Sequence, residues 1–418
     1  MLKVLHTSDW HLGHRLYEHD RGEEQQDCMS QIVKIVREQQ PDAVVICGDV
    51  FDVSAPPQSA RKMYIDTLKK MQEALPGRPI VVTAGNHDGK MLLENDGALL
   101  HPNDIVVIGE INKKDNGAID YDHHIIAVRD AKGVLKGFIV AMPHVYEQSY
   151  PIADNAARTD SRMQIFHEAL MERVAEVNEN NLPVVLTEHL YLIGSDTSGH
   201  EYSNYGDREI VGSCESVPQS RLGSGYDYLA LGHIHRAQNV TNSKPLARYC
   251  GTPIDVSFDE TGDHGVTLVS IMEHGAEPQV EHIPIANYRP LETVPNIPKT
   301  FAEVMADAIA YPDDKKSYIR LNVLDDAPLP ADYMNVINKT FENKQARFCT
   351  IKHTAVSAAD SNGEDSAPRY FSPEEMPSPM EIATMHYQRK YGHPMPDDLA
   401  DLLIQIVEEV EREKYDEK

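Results

Sequence analysis

At 418 residues the chain has room for one large domain plus a second, or for two or three ordinary ones, and its 41% hydrophobic content is ordinary for a soluble protein. No run approaches the roughly eighteen apolar residues of a membrane span, so a helical membrane protein is excluded. The net charge of −27 argues against holding nucleic acid by a broad basic surface, because such surfaces work by replacing counterions with Lys and Arg. A polyanionic substrate would need bound divalent cations or a basic partner.

The N-terminal "MLKVLHTSDW" enters a strand with neither a basic n-region nor a signal-type h-region, so a cytoplasmic location is expected. Apolar spacing at Met29, Ile32, Val33 and Val36 predicts a helix over 26–39, followed by the buried strand "DAVVIC", an amphipathic helix over 61–75 and the strand "PIVVTA". This βαβαβ order implies parallel strands with helical crossovers. Short strands follow ("DIVVIG", "HHIIAV", "GFIVAM"), then a helix around Arg162 to Asn178 and the strand "PVVLTEH". After "YLALGHIH", Tyr228 to His235, come "LARYCG", "GVTLVSI" and "QVEHIPI". The expected fold is α/β, a two-sheet sandwich flanked by helices over 1–288.

Proline-rich "RPLETVPNIP", Arg289 to Pro298, reads as a linker. Helix and strand signals alternate over 299–355 and predict a small α+β domain. Residues 356–376 are polar and read as flexible, and 377–418 as two helices, the second with an apolar stripe from Leu399 to Val410. The acidic tail reads as a solvated helix face. Five cysteines (Cys28, Cys47, Cys214, Cys250, Cys349) never fall in CxxC spacing, so neither disulfides nor a thiolate zinc site is expected.

The chemistry-bearing residues stand at strand ends, where α/β folds build their sites. They are Asp9 and His11; Asp49 and Asp52; Asn86, His87 and Asp88; Glu188 and His189; His233 and His235. By strand alternation His233 and His235 share one face, like two arms of one site. Carboxylates, imidazoles and a carboxamide without thiolate suit Mn²⁺, Fe²⁺ or Zn²⁺. Seven candidate ligands (Asp9, His11, Asp49, Asn86, His189, His233, His235) exceed the needs of one ion. Two ions sharing a carboxylate, about 3.5–4 Å apart, is the arrangement that hydrolyses phosphate esters. Competing readings are N-capping for Asp9 and Asp49, which explains neither the paired histidines nor Asn86, and structural roles for the lone His6, His101 and His167. His14, Arg15 and Arg236 beside the motifs suit phosphate or solvent equally.

Taken in order, "DWH", "GDVFD", "GNHD", His189 and "GHIH" resemble the calcineurin-like metallophosphoesterase superfamily. "HTSDWHLG", "GDVFD" followed by "PP", "ALGHIHRAQ" and "YCGTPIDVSFDE" are similar to its DNA double-strand-break repair branch, the bacterial SbcD exonuclease subunits in particular. The likeness is dense to about Phe258 and thin beyond the linker. It implies that Asp9, His11 and His235 hold one ion and Asn86, His189 and His233 the other, with Asp49 bridging, so that the "GHIH" histidines divide. It makes His87 the catalytic histidine, stabilising phosphate and protonating the departing oxygen, and gives Asp88 and Asp52 supporting roles, Asp52 standing where some relatives carry histidine.

Manganese as cofactor is also implied, with 3′-to-5′ exonuclease action on double-stranded DNA and endonuclease action on single strands or hairpins, in repair, recombination and replication. The implied partner is an SbcC-type coiled-coil ATPase, docked on the C-terminal helices, with a homodimer inside a heterotetramer and the small domain as a DNA-contacting cap. Two rivals stay open: a phosphoesterase acting on a small phosphate ester or phosphoprotein, and a non-cutting scaffold tethering the ATPase to DNA.

Overall fold

A computed structural model of the chain describes residues 1–98, 100, 105–152, 161–196, 216–260, 262–325, 328–355 and 396. Met1–Val356 forms one compact unit and Ser357–Lys418 a second. The expected flexible segment and C-terminal helices lie outside the described residues, apart from position 396, as does His101.

In chain order the first elements are β1 (Leu2–Thr7), a short hairpin of β2 (Arg15–Leu16) and β3 (His19–Asp20), α1 (Gly22–Gln39), β4 (Ala43–Cys47), α2 (Gln58–Ala74), β5 (Ile80–Thr83), α3 (Lys90–Ala98) and β6 (Ile105–Ile108). There follow β7 (Ile125–Arg129), β8 (Leu135–Ala141), α4 (Arg162–Val177), β9 (Val184–His189), β10 (Tyr228–Gly232), β11 (Gln238–Asn239), β12 (Leu246–Tyr249), β13 (Gly265–Ile271) and β14 (Gln279–Pro284). They build two six-stranded sheets of order β14-β13-β1-β4-β5-β6 and β11-β12-β10-β9-β8-β7. The expected parallel core is present in the first sheet, where β1, β4, β5 and β6 run together, and β12, β10, β9 and β8 do the same in the second.

Period-two alternation sorts each strand's residues into layers. In β4, Val44 and Ile46 face α1 and α2, among Met29, Ile32, Val36, Tyr64 and Leu68. Ala43, Val45 and Cys47 face the second sheet, against Ile139, Ala141, Val185 and Ala230. Leu186, Leu229 and Leu231 in turn face α4 through Phe166, Leu170 and Val174. The result is a helix–sheet–sheet–helix sandwich whose central strands are buried on both faces, the reason they read as unbroken apolar runs. Helix α1 starts four residues before its expected position and stops at Gln40, which is left-handed (φ 46°) and donates its N–H to the Val36 carbonyl. Helix α3 had no expected counterpart.

The stretch expected as a linker is instead a strand, β15 (Leu291–Lys299), which leads into α5 (Phe301–Ala310), β16 (Tyr318–Asp325), α6 (Tyr333–Phe341) and β17 (Arg347–Ala355). All three strands are parallel, with β15 at one edge. Pro295 and Pro298 are tolerated because an edge strand need not donate every N–H. Helices α5 and α6 are the crossovers, capping a core of Val304, Ile319, Leu321, Ile337 and Phe341. Among the described residues no helix is long and apolar enough to cross a membrane, and Cys28, Cys47, Cys250 and Cys349 are free thiols.

Candidate metal centre

Five loops at the C-terminal ends of β1, β4, β5, β9 and β10 meet at one end of the sandwich. The loops after β1 and β4 stay bonded side by side: Asp9 N–H donates to Gly48 O (3.0 Å), His11 N–H to Asp49 O (3.0 Å) and Leu12 N–H to Val50 O (2.9 Å). Positive φ accompanies this pairing at Asp9 (φ 51°), His11 (φ 42°) and Asp49 (φ 49°), and recurs at His233 (φ 96°) in the loop after β10. Non-glycine residues are seldom found there, and where they are, the strain marks functional positions. The approach of β5 is equally close, since a Cβ at Gly85 would overlap the Asp49 carboxylate.

Six of the seven candidate ligands are joined by short distances, and Asp9 joins them through the backbone. His11 Nε2 faces His235 Nε2 at 3.2 Å. His189 Nε2 lies 3.0 Å from Asn86 Oδ1 and 3.3 Å from Asp49 Oδ2, and His233 Nδ1 lies 3.2 Å from the same Asn86 oxygen. Asp49 Oδ2 is 3.9 Å from His11 Nε2, so this carboxylate stands between the two sets. The Asp9 carboxylate accepts the His233 N–H (3.1 and 3.2 Å); one of its oxygens lies close to ring nitrogens of His11 and His235, and one close to Asp49 and His189.

The outer nitrogens of two of these rings, His189 and His235, are held by hydrogen bonds, and that of His11 by a longer contact with a carboxylate. His189 donates Nδ1–H to the Cys47 carbonyl (2.8 Å), and His235 donates Nδ1–H to Glu260 Oε1 (2.8 Å). His11 Nδ1 faces Asp52 Oδ1 at 3.4 Å. Each Nε2 is thereby turned inward, the tautomer that metal-bound histidines adopt when their other nitrogen is engaged. Inside, ring nitrogens confront carboxylate and carboxamide oxygens and one another, so the pocket calls for positive charge. In the metal-free protein protons supply it. Burial works against a charge on His11, but the Asp52, Asp49 and Asp9 carboxylates outweigh it and raise its pKa to about 9. His189 is raised to about 9, Asp49 again overcoming burial. Asp49 itself is held well below the usual carboxylate range, its burial outweighed by His189 and His11. The donor set therefore fits divalent cations bound through O and N.

The sign of the pH dependence follows. Both histidines have folded pKa values above the ordinary 6.5, so the stability they contribute to the metal-free protein is fully present below about pH 6.5 and is lost as pH rises through about 9. Thermal melts in EDTA should show Tm falling across that window, while Mn²⁺ affinity should rise over it as each ion displaces fewer protons. A flat Tm profile would contradict this.

Residues 2–237 match the family model described as "Calcineurin-like phosphoesterase". The chain belongs to this phosphoesterase family. It is 31% identical over 323 residues to the SbcD subunit of nuclease SbcCD from Rhodobacter capsulatus, spanning 75% of this chain and 77% of that protein. The SbcD proteins of Escherichia coli K12 (30% identity; 69% of this chain, 70% of that one) and Bacillus subtilis (30%; 69% and 71%) are similar to it as well. Within the calcineurin-like phosphoesterases it therefore groups with the SbcD proteins.

Other residues in this phosphoesterase centre are placed as follows. His87 donates Nδ1–H to the Asp52 carbonyl (2.8 Å) and its backbone N–H to Asp49 Oδ1 (3.0 Å). Asp88, expected behind His87 or a ligand, turns into backbone: its carboxylate accepts the N–H groups of Gly85 (2.8 Å), Phe51 (2.9 Å) and Val50 (3.2 Å), tying the loop of Asp49 to the loop of Asn86. Burial and the Asp49 charge raise its pKa to about 6 against these donors. Asp52 braces both His11 and His87. Glu188 points away, into a buried pair with His167 (2.6 Å), and His6 bonds Tyr228 and the Leu231 carbonyl; neither lone histidine is a ligand. Arg236 pairs with Asp196 (2.8 Å) and Arg15 bonds the Glu18 carbonyl (2.7 Å).

Two buried supports carried no sequence signal of their role. Glu260 lies 25 residues from the ring it holds. His144 stacks edge-on with His189 at 6.0 Å and donates Nδ1–H to the His189 carbonyl (2.8 Å).

Proposed function

We propose that the protein is the cytoplasmic nuclease subunit of an SbcCD-type complex that hydrolyses DNA phosphodiesters with two divalent ions, Mn²⁺ in preference. It acts as a 3′-to-5′ exonuclease on duplex ends and an endonuclease on single strands or hairpins, in repair, recombination and replication. Its partner is an SbcC-type coiled-coil ATPase, bound by 377–418, in an assembly with two copies of each chain. The observation that carries this reading is that the 31% identity to an SbcCD nuclease subunit spans 75% of the chain, more than residues 2–237 contain. A likeness confined to the phosphoesterase core would serve a small-ester enzyme as well.

Asp9, His11 and His235 would hold one ion, Asn86, His189 and His233 the other, with Asp49 shared. Bound there, the pair supplies an activated water and neutralises charge on the phosphoryl oxygens, which also answers how a chain of net charge −27 engages a polyanion. The protein's own contribution is placement. His87, with Nδ1–H fixed on the Asp52 carbonyl, presents Nε2 to a phosphate oxygen and, when protonated, hands a proton to the departing oxygen. The small domain, whose core is separate from the sandwich, serves as the cap that DNA touches.

The test is incubation of the purified full chain with end-labelled duplex, single-stranded and hairpin DNA and Mn²⁺, with and without the ATPase partner. Cleavage of DNA is expected. Good turnover of a chromogenic phosphate with no cleavage of DNA, even beside the partner, would favour the small-ester reading, and no turnover of either would favour the scaffold. Deleting 377–418 is expected to abolish co-purification with the ATPase and to leave Mn²⁺ binding intact.

A further inference from the structure

The loop after β12 grips His235 from two sides. Thr252 N–H donates to the His235 carbonyl (2.9 Å), and Glu260 Oε1 takes its Nδ1–H (2.8 Å). Glu260 is almost wholly buried on its side chain, and its other oxygen accepts the Val256 N–H (3.0 Å). The residue before it faces the other way: Asp259 Oδ1 pairs with the Arg320 guanidinium of β16 at 2.6 Å, and Arg320 also donates to the Phe258 carbonyl (3.3 Å) and lies over the Phe258 ring at 5.1 Å. The brace on a candidate ligand and the brace on the cap are thus adjacent residues of the chain.

A second bridge runs from the hairpin β2–β3, a few residues beyond His11. His19 donates its ring Nε2–H to the Phe348 carbonyl of β17 (2.7 Å), and Tyr17 packs against Phe258 at 6.2 Å. Both bridges therefore end beside Asp9, His11 and His235. Asn86 and His189 take their bonds from Asp49, His233 and Cys47, not from the cap.

We propose that Glu260 is a positioning residue for His235, and that the Asp259–Arg320 pair makes its grip depend on where the cap sits, so that cap placement tunes one ion of the pair and not the other. Engagement of the cap by a substrate would then be felt at the ion held by Asp9, His11 and His235. This rests on the two-ion reading above.

Mn²⁺ titration calorimetry on the metal-free full-length chain tests it. Wild type is expected to bind in two steps. Glu260→Ala should weaken one step about 10–100-fold, the usual cost of losing a bond that orients a ligand, with the other step unchanged. Glu260→Gln, whose carboxamide oxygen still accepts from Nδ1–H while its NH2 group meets the Val256 N–H, should recover part of the loss. Arg320→Ala should weaken the same step by less, roughly threefold or more. Should Glu260→Ala melt below wild type in EDTA, Glu260→Asp, one methylene short, carries the same comparison.

Two wild-type-like steps in the Glu260 variants, or equal weakening of both, would overturn the positioning role. Wild-type behaviour of Arg320→Ala would overturn the link to the cap. A wild-type protein that takes up fewer than two ions would instead overturn the two-ion reading itself.

Discussion

Replacing His87 with alanine is expected to slow Mn²⁺-dependent DNA cleavage about 10²–10⁴-fold, the span that a positioned proton donor contributes, with metal content unchanged. The separation of the two effects is written into the geometry. What His87 gives the metal centre is its backbone N–H, 3.0 Å from Asp49 Oδ1, and alanine keeps it. What the ring adds is a nitrogen held in place by the Asp52 carbonyl on its far side and standing edge-on to His11, with ring centroids 5.2 Å apart. Single-turnover cleavage of end-labelled duplex, alongside elemental analysis of bound manganese, reads both quantities. Loss of an ion would make His87 a ligand, and a slowing of less than tenfold would place the proton donor elsewhere.

Asp49→Ala should do the opposite to the balance of metal and activity. Its carboxylate reaches His189 (3.3 Å) and His11 (3.9 Å) and anchors the His87 backbone, so one substitution strikes both halves. Uptake of manganese should fall from two ions to one or fewer. Cleavage should fall on the order of 10³-fold, because a bound cation supplies several kcal/mol of charge stabilisation and each 1.36 kcal/mol is tenfold in rate. The metal-free variant should also lose the His189 share of the pH-dependent stability described above, since the carboxylate that holds the proton on His189 is gone, while Asp52 still supports the charge on His11. Asp49→Asn, equal in shape, separates charge from packing. Retention of two tightly held ions in either variant would remove Asp49 from the centre.

Much of this was legible in the sequence, for identifiable reasons. Buried parallel strands announce themselves as apolar runs, and the loops that follow them carry residues with no structural reason to be there. "GHIH" shows where such reasoning fails. Alternation aims both histidines one way, yet β10 ends at Gly232 and His233 is left-handed. His233 then turns to Asn86, His235 to His11 and Glu260, and Ile234 is buried among residues that face α4. Periodicity could not separate the two imidazoles, because the strand ends before either of them. Strand β15 was hidden by its prolines, a rule for central strands misapplied to an edge. Glu260 and His144 were hidden differently: a bond between residues far apart in sequence leaves no local pattern, and carboxylates and histidines are common on loops.

The candidate ligands span most of the sandwich, with His11 and His235 separated by 224 residues. Asp9, His11, Asp49 and Asn86 follow strands of the first sheet, and His189, His233 and His235 strands of the second. During synthesis the first four are made long before the last three, and four ligands on one unpaired sheet enclose nothing. Closing so long a loop comes late in folding because its entropy is recovered only after the sheets have docked. Metal uptake is consequently a certificate of completed assembly: a chain that stalls, truncates or misdocks its second sheet has no competent centre and no means to cut.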